Sequence, residues 1–105
     1  MGNPWAGEVT LVLDGTSIDL KLTLGALAEL ESALEGETVL ELIERFEAGR
    51  FSTRDVLALI VAGLRGGGWQ GRSEDLLSVE IEGGVLAATK AAAQLLARAF
   101  AGGGD

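Results

Sequence analysis

The 105-residue chain contains no cysteine, no histidine and no tyrosine, and its aromatic residues are two tryptophans and three phenylalanines. Without cysteine and histidine there are no disulfides, no zinc sites built on those ligands, and no nucleophile activated by an imidazole. Carboxylate pairs are what remains for general acid-base chemistry. Most of the 16 acidic residues fall on polar helix faces, where a solvated carboxylate is the ordinary outcome. A catalytic pair would need a cleft that perturbs it, and no pattern in the sequence points to one. The sequence therefore predicts no enzyme activity, no catalytic residues, no cofactor and no metal.

Positive charge is also scarce. Eight basic residues against 16 acidic ones leave a formal net charge of −8, which opposes the phosphate backbone and argues against nucleic-acid binding. Long hydrophobic runs are missing as well, although 48% of the residues are hydrophobic and the mean hydropathy is +0.32. The longest apolar stretch, VLALIVAGL from Val56 to Leu64, is far shorter than the roughly 20 residues that span a bilayer. Arg54, Asp55 and Arg65 bound it, so it reads as a core helix and no membrane partner is expected. The opening MGNPWAGEV lacks the basic and apolar regions of a secretory signal, and Ala6 stands where N-myristoylation wants Ser or Thr. Cytoplasmic residence is the expectation.

What is present is pattern. In EVTLVLDGTSIDLKLT, residues 8–23, apolar and polar residues alternate on both sides of Asp14-Gly15, a strong hairpin signal. A lone hairpin is marginal in water, so its apolar face must pack on the helices C-terminal to it. From Leu24 the spacing changes to that of helices. Leu24, Leu27, Leu30 and Leu34 form one stripe over about 24–35. Thr38 and Glu41 form a capping box opening a helix over about 38–48, with Val39, Ile43 and Phe46 on its apolar face and Glu41 placed to pair with Arg45.

Ser52 and Asp55 repeat the capping logic for a helix over about 52–66, apolar around so much of its circumference that it should be central. A short helix over about 73–80, with Ser73 as N-cap, and a last helix over about 85–100 complete the set. Leu95, Leu96 and Phe100 mark the face of the last one. The expected fold is one α+β domain over residues 1–105, an N-terminal β-hairpin packed on a small bundle of four to five helices, with a disordered tail at 101–105.

One stretch carries a competing chemistry. In GLRGGGWQGRSED from Gly63, the residues Gly66, Gly68 and Gly71 fit G-x-G-x-x-G. Gly66, Gly71, Arg72 and Ser73 fit a Walker-type loop with arginine in place of lysine. Both motifs need a strand feeding the loop and a helix N-terminus behind the phosphates, whereas here the glycines come after a helix. The simpler account makes Gly66 a left-handed helix cap and Gly67 and Gly68 the loop. Nucleotide binding is thus the weakest of three functional readings. Trp69 either folds back onto the core, the commoner fate of an aromatic, or anchors a partner. With Leu76, Leu77 and Ile81 it makes up the candidate partner-binding set.

The order of these segments resembles a known family. VTLVLDG (9–15), TLGALAELE (23–31), FEAGRFSTRDVLALIVAGL (46–64) and the closing AAAQLLARAF together are similar to the small tail proteins of gene transfer agents and related siphophages, grouped with phage tail assembly chaperones and sometimes labelled tail tube proteins. The resemblance covers nearly the whole chain, while Trp5-Ala6 and the WQGR segment at Trp69 are less typical. It implies a non-enzymatic role in tail morphogenesis in the bacterial cytoplasm, holding the long helical tape-measure protein until tube subunits polymerise around it. The alternative it implies is a structural tube component that self-associates and stays in the particle.

Overall fold

The computed structural model describes residues 8–101. It is an α+β fold in the order β1 (Val9–Leu13), β2 (Thr16–Leu20), α1 (Leu24–Ala33), α2 (Val39–Glu47), α3 (Thr53–Gly66), a 3-10 turn (Ser73–Leu76) and α4 (Gly84–Ala101).

The strands pair antiparallel with Val9 opposite Leu20 and Leu13 opposite Thr16. Asp14 and Gly15 both take left-handed φ values, 50° and 79°, as a two-residue turn matching the strand twist requires. Alternation then works as expected: Val9, Leu11, Leu13 and Leu20 are buried on one face. That face is closed by α4, which packs on β1, while α3 packs on β2, α1 and α4 and is the central helix.

The helix starts are set by side chains. Thr23 Oγ1 accepts the Ala26 amide (3.1 Å) and opens α1. Thr38 and Glu41 exchange side chain and amide (3.1 and 2.8 Å), as do Ser52 and Asp55 (3.2 and 2.8 Å), satisfying donors that a helix start leaves unpaired.

Five details differ from what the sequence predicts. Leu24, at the first position of α1, is 84% exposed, and the buried face of that helix is Ala26 and Leu30. In α2 the deepest residues are Val39 and Leu42, with Ile43 and Phe46 only half-buried. The expected helix over 73–80 is one 3-10 turn that Ser73 begins instead of caps. The chain then extends so that Ile81 bridges antiparallel to Leu13, with Glu82 N donating to Val12 O and Asp14 N to Glu80 O along the edge of β1. Gly68, with φ 104°, is the left-handed residue after α3, not Gly66. Trp69 N donates to Leu64 O (2.8 Å) and Gly68 N to Arg65 O (3.0 Å), which places the left-handed residue two positions later. Of the expected tail, Ala101 is the last residue of α4, and 102–105 lie outside the described residues.

Gly25, in the first turn of α1, has open space where a Cβ would stand and an ordinary φ. Gly25→Ala should therefore raise stability by about 0.5 kcal/mol, through the lower entropy of the unfolded chain. A urea titration in which the midpoint falls would show that the start of α1 is packed more tightly than this.

Candidate interaction surface

The glycine-rich connection is where a phosphate would have to bind, and the amides of Gly67, Gly68 and Trp69 are already engaged. The Gly67 amide donates to Gly63 O (3.0 Å), and those of Gly68 and Trp69 donate to carbonyls of α3 as above. The loop sits at the C-terminal, electronegative end of α3, the opposite polarity from an anion cradle.

The glycines answer to packing instead. A Cβ on Gly66 would stand 1.8 Å from Lys21 O, and one on Gly67 would stand 2.2 Å from Asp19 O. The last turn of α3 thus lies directly on the outer edge of β2, where the Lys21 amide donates to Gly63 O (2.9 Å). A Cβ on Gly71 would fall 2.1 Å from the indole of Trp69. Trp69 itself is half-buried and packs against the core.

Leu76, Leu77 and Ile81 do come together. With Val79, Val85 and Val56 they line a depression of about 290 Å³ between α3 and the start of α4, at which Leu77 is 74% exposed. Trp69 is not part of that lining.

A larger groove, about 540 Å³, runs between α2 and α4. It forms because α2 packs on α1 while α4 packs on α3 and β1, so the two helices are not pressed against each other. One wall is Ile43, Phe46 and Glu47 with Phe51. The other is the outward face of α4, Thr89, Ala93, Leu96, Ala97 and Phe100. Phe46 and Phe51 stack with ring centroids 4.4 Å apart and 8° between planes, which stiffens the floor. Phe100, 48% exposed, closes one end.

Glu47 is the one charged residue of this lining. Of the three residues expected to mark the face of the last helix, Leu95 and Leu96 are buried while Phe100 lies at the groove. The signal available was a second line on the last helix, Thr89, Ala93, Ala97 and Phe100, free of charge and spaced by three and four.

The α2 wall is held by a single side chain. Arg45 binds Glu37 through Nε (2.7 Å) and Nη2 (2.7 Å), Asp55 through Nη1 (2.7 Å) and Nη2 (3.0 Å), and Arg50 O through Nη1 (3.0 Å). Its expected partner Glu41 is instead engaged by Thr38 in the capping box. The Arg45 guanidinium, helped by the Ser52 amide, holds the Asp55 carboxyl down to about 2, and it lowers Glu37 as well. The two carboxylates in turn raise the pKa of Arg45 far above its ordinary value. Among the described residues no group of acidic side chains is arranged to hold a metal ion, and no helix is long and apolar enough to cross a membrane.

A family model described as phage tail tube protein, GTA-gp10, matches residues 6–102. The chain belongs to that family. No curated protein and no solved structure matches the chain. For a gene transfer agent and phage tail protein the relevant surface is one that meets another protein, and the α2/α4 groove and the depression around Leu77 are two apolar concavities among the described residues.

Proposed function

We propose that this protein is a non-enzymatic tail assembly chaperone that holds an amphipathic helix of the tape-measure protein in the α2/α4 groove, in the bacterial cytoplasm, until the tube polymerises. The groove itself carries the reading. It is apolar and open, and it follows α4 from Thr89 to Phe100, about 16 Å or three helical turns. Ala93 and Ala97 on its wall let a partner backbone approach closely, and an amphipathic helix docking by anchors at i, i+3, i+4 and i+7 is a recurrent way of filling such a groove.

Co-expression with the tape-measure protein followed by pull-down tests it. The wild-type chain should retain the partner, and Ala93→Glu with Phe100→Glu should lose at least about tenfold in retention by placing carboxylates in the apolar seat. Leu77→Glu, in the other depression, should leave retention unchanged. Equal retention by the groove variant, or loss with Leu77→Glu alone, would move the binding face to the Leu76, Leu77 and Ile81 depression.

The description of the family as tube protein favours a second reading, a structural subunit that stays in the particle. Mass spectrometry of purified particles separates the two. Stoichiometric copies support the subunit, and absence supports the chaperone.

A further inference from the structure

We infer that residues 80–82 form a displaceable strap over a strand edge, and that releasing it exposes β1 for antiparallel pairing with β1 of a second copy of this chain. This deepens the structural reading by naming the contact and the segment that withholds it. It is independent of tape-measure binding.

Each strand of the hairpin has one outer edge. That of β2 is covered by the last turn of α3, packed so closely that only glycine fits at 66 and 67. That of β1 is covered differently. Glu82 N donates to Val12 O (3.0 Å), Asp14 N donates to Glu80 O (2.8 Å), and Glu80 N donates to Asp14 Oδ1 (2.9 Å), around the isolated Leu13–Ile81 bridge. These three hydrogen bonds make up the strap, against a full five-residue ladder between β1 and β2.

The strap is built to move. Gly83 and Gly84 behind it have φ values of 85° and 70°, a pair of left-handed glycines that can swing with little steric cost. Glu80 and Glu82 are exposed, and Val79 and Ile81 are only half-buried, so the strap is held less deeply than the strands it covers.

The strand beneath is suited to self-pairing. Exposed edges are usually blunted by charge or proline, yet VTLVL carries neither. In a chain of net charge −8, a stretch without carboxylates is where two copies can approach, and an antiparallel pair about Val12 sets no charges opposite one another along the strand. Val12 directs its carbonyl outward, to Glu82, so its amide points outward too.

Sedimentation and hydrogen exchange test this on the whole chain. The double variant Asp14→Gly, Glu82→Pro removes the carboxylate acceptor and one strap amide, while glycine keeps the left-handed turn. It should shift from monomer to dimer at a concentration where the wild type stays monomeric. Adding Val12→Pro, which removes the outward amide and leaves the β1–β2 ladder intact, should return it to monomer. In the wild type, the Asp14 amide should exchange at least about tenfold faster than those of Leu11 and Ile18 in the ladder, since strap opening is local. A folded double variant that stays monomeric would overturn the proposal, as would a dimer indifferent to Val12→Pro. If the double variant does not fold, the exchange measurement decides: equal rates at Asp14, Leu11 and Ile18 mean the strap opens only on global unfolding, and the proposal fails.

Discussion

Gly66→Ala should be among the most destabilising single substitutions in this protein, costing about 3 kcal/mol or more. The added methyl would stand 1.8 Å from Lys21 O and 3.0 Å from the Lys21 carbonyl carbon. Both are backbone atoms, so no rotamer change relieves the clash. Either the last turn of α3 lifts away from β2 or the strand end shifts. Lifting also threatens the hydrogen bond from Lys21 N to Gly63 O. Helix propensity alone would favour alanine by about 1 kcal/mol in a helix interior, so the sign of the effect separates close packing from local preference. Chemical denaturation checks it directly, with Gly25→Ala as the internal reference for a glycine in open space. A Gly66→Ala protein as stable as the wild type would mean that α3 does not rest on the β2 edge.

Arg45→Met should cost about 2 kcal/mol, more than an ordinary surface ion pair. The reason is geometry. One part-buried guanidinium makes two-point contacts with both Glu37 and Asp55 and also caps the α2–α3 connection through Arg50 O. Methionine keeps the aliphatic stem but leaves two carboxylates facing each other. Arg65→Met, which removes two long, exposed contacts, to Glu29 Oε1 at 3.4 Å and to Gly71 O at 3.5 Å, should change stability by less than about 0.5 kcal/mol.

The network also sets an acid response. Asp55 titrates at about 2 in the folded protein against an ordinary 3.8. Its contribution is therefore fully present above about pH 4 and is lost as pH falls from there through 2. After allowance for solvent screening this amounts to roughly 1 kcal/mol. Glu37, also lowered, acts in the same direction. Thermal melts across that range should show a steeper fall for the wild type than for Arg45→Met. Parallel curves would show that the arginine is not what depresses Asp55.

Much of the fold is legible because its signals are local. Asp14-Gly15 demands left-handed φ values, so the hairpin and its register come from the turn. Thr38 with Glu41 and Ser52 with Asp55 satisfy their own helix starts within four residues. The apolar circumference of 56–64 calls for burial on all sides, and the helix there is central. Where the local pattern misled, a distant partner intervened. Leu76, Leu77 and Val79 have helical spacing, but beyond the 3-10 turn the edge of β1, some 65 residues earlier in the chain, draws Ile81 into a bridge. Arg45 has Glu41 at the ideal spacing, yet the capping box engages that carboxylate first, and Asp55 and Glu37 converge on the guanidinium only after α2 and α3 have folded together.

By itself the sequence determined the hairpin, the four α-helices and their order, because composition, turn residues and caps act over a few positions. The tertiary structure alone decided that the glycines at 66 and 67 seat a helix against a strand edge, and that two helices stand apart to leave a groove lined by Phe46, Phe51 and Phe100. Close approach and vacancy are relations between segments far apart in the chain, and no local periodicity encodes them.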